Sequence, residues 1–373
     1  MKSSEGMHFV GLDHIRALAV FMVVSYHFLQ GTNHGVHAGS TSFIANAMFM
    51  EGQTGVGLFM TLSGYLLVRL ASGRDLIYWQ FIFNRSLRLL PLLFVVLGVY
   101  LVPYIYLYPA SAGQGLLDVA SGIILPIWPN GAWSISTEFH FYIVFPALLI
   151  MARRNPLYLI IVPAIAIAVR VGIFVIWDAQ HVQDAAYWTI IGRIDEFALG
   201  MLLAHYSHWF AGRHLVGATV GITWLALWYV FVQVGGIHDV HHQWIWIGLT
   251  TVEGLFYAML IAYYDRSFTM PATGISGAIA KIGGYSYGIY LLHFFVIGKS
   301  ARWMESHIVT LDNFYLTLLL TLPPFLITAA LARLSYRCLE LPFLQFRTPY
   351  FRTGKARVDL YPQAQPQKIC VPV

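Results

Sequence analysis

LDHIRALAVFMVVSYHFLQG, residues 12–31, is the first long apolar run of the chain, and its reading decides the fold. A bilayer's hydrocarbon core is crossed by about 20 predominantly apolar residues, and this stretch supplies them. It nevertheless carries Arg16 near one end and His27 near the other. At about 100° per residue, their eleven-residue separation falls roughly 20° past three full turns, which puts both side chains on one helix face about 16 Å apart along the axis. An ionisable side chain inside a membrane is costly and faces a protein interior or an aqueous cavity, so two on one face point to a functional stripe. The plainer reading is an arginine reaching back to the headgroups and a histidine hydrogen-bonded in the core.

The rest of the chain is built of the same material. Of 373 residues, 58% are hydrophobic and only 10% charged, against about 25% charged in soluble domains. Mean hydropathy is +0.65. Apolar segments recur at 12–31, 54–70, 88–108, 132–152, 157–177, 188–206, 215–234, 244–264, 283–298 and 314–334. The sequence therefore predicts an all-α polytopic integral membrane bundle of about ten transmembrane helices, a single transmembrane domain over 1–346 and a flexible, cytoplasmic basic tail over 347–373. Lysine and arginine fix the orientation: 17 fall on one side, only Lys299 and Arg302 on the other, and Arg16, Arg170 and Arg193 lie within segments. Basic residues collect on the cytoplasmic side, so both termini are expected there.

Segment 188–206 is the least apolar crossing, because it holds Arg193, Asp195 and Glu196, and it survives only if neighbouring helices shelter it. Gly/His-rich loops at 31–40 and 235–243 are expected on the outer side. The first apolar run lacks a small-residue cleavage site and reads as a retained helix. The formal charge of +5 is a matter of membrane topology and does not argue for nucleic acid. The two cysteines, Cys338 and Cys370, form no metal-ligand spacing, so neither a disulfide nor a metal is expected.

Three constellations carry possible chemistry. In NRSLRLLPLL, Arg85 and Arg88 stand at i and i+3 on one face, where an inner loop enters the third crossing. Paired guanidinium forks at that level suit phosphate, although ordinary inside-positive anchoring also explains them. In WSISTEFHFYIVFP, residues 133–146, Glu138 lies about 8 to 10 Å below the outer end of its helix, the depth at which His27 sits. A carboxylate beside an imidazole fixes its tautomer and raises its basicity. Arg193, Asp195, Glu196 and His293 fall near the same depth, so polar groups from four crossings are expected at one level. Small residues in TGVGLFMTLSGYLL, residues 54–67, suit close helix packing.

The order and spacing of these motifs resemble acyltransferase family 3, a family of integral membrane O-acyltransferases. The matching residues are Arg16 with His27, GVGLFMTLSGYLL, Arg85-Ser-Leu-Arg88-Leu-Leu-Pro91, Trp133-Ser-Ile-Ser-Thr-Glu138 with Phe141-Tyr142, Gly192-Arg193 to Gly200, Ser286-Tyr-Gly-Ile-Tyr-Leu-Leu-His293 and Glu340-Leu-Pro-Phe343. They run from residue 11 to about 345, and no one of them is decisive alone. Phe139-His140 departs from the polar pair usual in the family, and Leu341 stands where a basic residue is common.

The resemblance implies a bacterial inner-membrane enzyme that moves an acyl group, most often acetyl, from cytoplasmic acyl-CoA to a hydroxyl of a carbohydrate or glycolipid. On that reading Arg16, Arg85 and Arg88 hold the CoA phosphates, and His27 is the general base at the end of the pantetheine arm. Glu138 orients His27, while Trp133, Ser134, Tyr142, Arg193, Glu196 and His293 shape the acceptor site. Direct transfer is the simplest course, and a transient acyl-imidazole on His27 is the other. The competing class is a transporter of a small solute or a proton-coupled substrate, because intramembrane His, Glu and Arg also mark solute pathways. Against it stand the lack of repeated halves and of paired broken helices.

Overall fold

Leu12 to Leu29 have few alternatives to a helix: the run contains no proline, and within a bilayer the backbone must satisfy its own hydrogen bonds. The computed structural model describes residues 9–32, 46–71, 73–129, 131–238 and 241–353. Among its helices are α1 (Val10–Gln30), α2 (Gly55–Ala71), α3 (Tyr78–Leu107), α4 (Trp133–Arg154), α5 (Ile161–Ile176), α6 (Ile190–His205), α7 (His214–Gln233), α8 (Leu249–Ser267), α9 (Gly274–Gly284), α10 (Ser286–His307), α11 (Phe314–Leu320) and α12 (Leu322–Ser335). Each apolar segment of the sequence coincides with helix. Most of the outer loop expected at 31–40 lies outside the described residues, as do residues 239 and 240 of the second loop and 354–373 of the tail.

The chain is a helical membrane protein, and its helices divide into two layers by composition. Among the described residues seven stretches are long and apolar enough to cross a bilayer: Val10–Gln30, Gly52–Ala71, Tyr78–Leu107, Trp133–Arg154, Pro156–Ile176, His214–Gln233 and Phe314–Leu344. Of these, the stretches carrying α3, α5 and α7 have only 28%, 22% and 28% of their apolar windows buried, whereas those of α1 and α2 have 72% and 78%. Uncovered apolar rods around a covered centre are what lipid tails demand. The other three expected segments form α6, α8 and α10; α6 is only 16 residues long, and the charged residues of α8 and α10 lower their apolarity below that of the seven.

Helix α6 shows how a charged helix is tolerated. It packs on α2, α8 and α5, and Arg193, Asp195 and Glu196 are all fully buried. Arg193 pairs with Glu196 at 2.6 Å and Glu253 of α8 at 3.4 Å, and Arg170 of α5 pairs with Asp195 at 2.6 Å. Arg170 also donates to Thr250 and to Thr251 (2.8 Å), and Thr54 donates to Glu253. A buried charge persists only when paired and hydrogen-bonded, and these are. Close approach is supplied by glycine. A Cβ on Gly64 would collide with the Phe197 carbonyl, and one on Gly200 with that of Thr61, so α2 and α6 touch backbone to backbone.

The expected tail begins inside the fold. Arg74–Leu76 (β1) and Phe351–Thr353 (β2) form a two-stranded antiparallel ribbon in which Arg74 faces Thr353 and Leu76 faces Phe351. Tyr350 and Phe351 are buried, so among the described residues packing continues past residue 346.

Candidate active site

Arg16 lies in the second turn of α1, and Arg85 and Arg88 lie in the second and third turns of α3, at the ends that converge beside the β1–β2 ribbon. All three line one cavity of about 1380 Å3, open mouth included, enclosed by α1, α2, α3, α4, α6 and α10. Arg347, from the chain just after α12, joins them. Arg16 is held at 2.5 Å by Asp13, one turn before it. Arg85 donates to the Tyr350 hydroxyl at 3.0 Å, with its guanidinium 5.3, 5.4 and 5.8 Å from the ring centres of Phe81, Tyr142 and Tyr350. A planar cation boxed by three rings keeps a fixed orientation.

The cavity is elongated. Tyr142 is level with Arg85, while Ser134, eight residues earlier on α4 and also in the lining, lies about 12 Å further along. Midway, Glu138 accepts from Ser63 of α2 at 3.3 Å and from the Tyr142 hydroxyl one turn away. At the far end the Ser134 and Tyr290 hydroxyls are 2.9 Å apart, and both reach the Gly131 carbonyl, at 3.1 and 2.9 Å. Gly131 presents that carbonyl from a left-handed conformation (φ 73°) that other residues adopt with difficulty.

Beyond Tyr290 stand two imidazoles. The His293 ring centre is 5.9 Å from that of Tyr290 and 5.1 Å from that of His27, and Phe294 packs on both histidines, at 4.1 and 4.6 Å. His293 Nδ1 is 2.5 Å from the Tyr290 carbonyl oxygen. A carbonyl only accepts, so Nδ1 carries the hydrogen and Nε2 is left as a lone-pair acceptor, buried and without a partner. His27 itself does not line the arginine cavity but sits one layer behind its Tyr290 wall.

The residues expected to form the site thus separate into three groups. Arg16, Arg85, Arg88, Ser134, Glu138 and Tyr142 share the cavity, His27 pairs with His293, and Arg193 and Glu196 belong to the buried ion-pair core between α5, α6 and α8. Trp133 faces Tyr187 and Trp188, at 5.2 and 4.9 Å. Among the described residues no hydrogen bond joins Glu138 to His27: the carboxylate turns toward α2 and its own helix, and the imidazole toward α10. Equal depth along two helices does not fix which faces meet. Asp13, Ser63, Tyr290, Arg347 and Tyr350 were not singled out from sequence. Ser63 lay within a small-residue run and Asp13 one turn from Arg16, whereas nothing local marked Arg347. No group of three or more His, Cys, Asp or Glu able to hold a metal occurs among the described residues.

Comparison with known proteins places this geometry in context. A family model described as an acyltransferase domain matches residues 9–333. The peptidoglycan O-acetyltransferase OatA of Listeria monocytogenes is 24% identical over 89% of this chain and 55% of its own length. The O-acetyltransferase OatA of Staphylococcus aureus is 24% identical over 89% of this chain and 56% of its own. The exopolysaccharide production protein ExoZ of Rhizobium meliloti is 27% identical over 68% of this chain and 79% of its own. The chain thus spans just over half the length of the OatA proteins. No solved structure matches it.

Proposed function

The chain belongs to the acyltransferase family, and we propose that it is a membrane O-acetyltransferase that moves an acyl group, acetyl in the simplest case, from acyl-CoA to a hydroxyl of a cell-surface carbohydrate. The observation that carries this reading is the single elongated cavity, with arginines from two helices gathered at one end and a hydroxyl cluster at the other, beside the His27–His293 pair. Phosphate groups want planar, multiple donors, and Arg16, Arg85 and Arg88 supply them from helices and not from loops. The cavity length suits an extended pantetheine arm, with the Glu138 carboxylate accepting from one of its amide N–H groups.

The chemistry assigned to the imidazoles is general base catalysis. His27 takes the proton from the acceptor hydroxyl as its oxygen attacks the thioester carbonyl. The new C–O bond forms as the C–S bond breaks, and the proton returns from His27 to the leaving thiolate. His293 acts as a positioning residue: its Nε2 lone pair, buried and without a partner in the structure, is free to accept an N–H from His27 when that ring turns toward it, which would leave the other His27 nitrogen free as base. Ser134, Tyr290 and the Trp133 aromatic cluster shape the acceptor side, while Arg193 and Glu196 act indirectly, by fixing α6 against α8.

In this reading ten helices, with α6, α8 and α10 among them, cross the bacterial cytoplasmic membrane, both termini lie in the cytoplasm and the arginine end opens there. The test is reconstitution: purified protein in proteoliposomes is given acetyl-CoA labelled in the acetyl group and a polysaccharide acceptor. Label should enter the carbohydrate as an alkali-labile ester. Solute flux across the vesicle without any ester would establish a transporter in its place.

A further inference from the structure

The cavity is short of negative charge. Its lining holds four guanidiniums, Arg16, Arg85, Arg88 and Arg347, against two carboxylates, Asp13 and Glu138. Asp13 is committed to Arg16, and Glu340, behind the lining, acts electrostatically on Arg88 and Arg347 and offsets part of the excess. Nε of Arg85 and Nε of Arg347 are buried without a hydrogen-bond partner. Burial, with the neighbouring charges of Arg88 and Arg85, lowers the Arg347 pKa to about 10. Guanidiniums crowded together with unused donors are the mark of an anion site.

Arg347 reaches this place because the chain beyond α12 is strapped along the arginine end of the cavity. Asn84, one residue before Arg85, clamps Thr348 on both sides: its Nδ2 donates to the Thr348 carbonyl at 2.5 Å and its Oδ1 accepts from the Thr348 N–H at 3.2 Å. The Ile77 N–H donates to the Tyr350 carbonyl at 2.8 Å, and β2 then pairs with β1. The buried Tyr350 ring packs on Phe81 at 5.5 Å while its hydroxyl holds Arg85. Arg347, Thr348, Tyr350 and β2 lie beyond residue 333, where the family match ends, while their partners on β1 and α3 lie within it.

We propose that residues 347–353 are a strap that completes the donor site, with Arg347 as a phosphate-binding guanidinium for CoA and Tyr350 as the residue that aims Arg85. The inference rests on acyl-CoA being the donor. More than one guanidinium with unused donors fits the several phosphates of a nucleotide better than one phosphate alone, and the cavity runs on from them far enough to take the arm.

The test uses the full chain in nanodiscs of zwitterionic lipid, with CoA binding read by calorimetry and protection of 347–353 read by hydrogen exchange. Arg347→Gln should weaken CoA binding by about ten- to a hundredfold, the loss of one charge-assisted contact, with Arg347→Lys in between. Tyr350→Phe should weaken it by up to about tenfold through loss of one hydrogen bond. The losses should fall on Kd and donor KM far more than on kcat, and CoA should slow exchange across the strap. Wild-type binding that Arg347→Gln leaves intact overturns the strap and spares the donor reading. No CoA binding by the wild type overturns both. Protection of the strap by anionic-lipid nanodiscs or inorganic phosphate as complete as that by CoA would make this a simple phosphate site and overturn the proposal.

Discussion

The pairing of His27 with His293 can be tested by a double-mutant cycle. His27→Ala removes the proposed base, and general base catalysis contributes about 10² to 10⁴-fold, or about 2.7 to 5.5 kcal/mol of transition-state stabilisation. His293→Phe keeps a ring of similar size against Phe294, 4.1 Å away, so packing survives while the bond to the Tyr290 carbonyl and the Nε2 acceptor are lost. If His293 acts only by holding the His27 tautomer, it contributes about one hydrogen bond, near 1 to 1.5 kcal/mol, and turnover falls about tenfold. In the His27→Ala background there is no tautomer left to hold. The double variant should then turn over no more than about twofold slower than His27→Ala, giving a coupling energy close to the whole His293 effect. The assay is labelled acetyl transfer at saturating acetyl-CoA, with gel-filtration profiles confirming intact protein. A double variant slower by the product of the two single effects would refute the relay. More than about a tenth of wild-type turnover in His27→Ala would remove His27 from base chemistry.

Three further outcomes follow from other parts of the molecule. Arg85→Lys keeps the charge but loses the fork that bonds Tyr350 and stacks on three rings, so the apparent Kd for acetyl-CoA should rise about ten- to a hundredfold while turnover at saturation changes little; unchanged affinity with slowed turnover would place the phosphates elsewhere. Arg170→Leu strands the buried Asp195 carboxylate, and breaking such a pair costs about 3 to 5 kcal/mol, which should lower the apparent Tm in detergent by several degrees, whereas an unchanged Tm would show that Asp195 needs no counterion. Burial raises the Glu51 carboxyl to about 7, against the lowering effect of hydrogen bonds from Gln53 and the Ile237 N–H. The fold therefore binds this proton more tightly than the unfolded chain does, and its stabilising contribution is full below about pH 4.5 and is lost as pH rises to about 7. Glu51→Gln should flatten that part of the Tm profile, and identical profiles would refute the assignment.

Helices and the arginine pair were legible because their signals are local. Apolar runs set the helices, and i, i+3 spacing set Arg85 and Arg88 on one face. The same local rule applies to Glu138 and Tyr142, which stand at i and i+4, so the tyrosine hydroxyl is the nearest partner for that carboxylate, and the structure joins them. The pairing of His27 with His293 depends on α1 lying against α10, which no spacing within either helix contains. Arg347 was less legible still. It is placed by two three-residue strands more than 270 positions apart, and strands that short leave no period to read.

What sequence could not separate at all were arginines that build the protein from arginines that serve it, since both are single basic residues in apolar helices. Charge balance in the fold separates them. Arg170 and Arg193 are met by three buried carboxylates, Asp195, Glu196 and Glu253, so that core has no shortage of negative charge and offers an outside anion nothing. In the cavity the balance reverses, with four guanidiniums and two carboxylates. The two regions are mechanically joined through α2, whose backbone lies directly on α6 at Gly64 while the adjacent Ser63 holds Glu138 in the cavity. Loosening the ion-pair core by Arg170→Leu should therefore disturb the middle of the cavity through α2 while leaving the arginine end, built from α1, α3 and the strap, to bind CoA. A variant that lost CoA binding in proportion to its loss of Tm would show instead that the two ends do not stand apart.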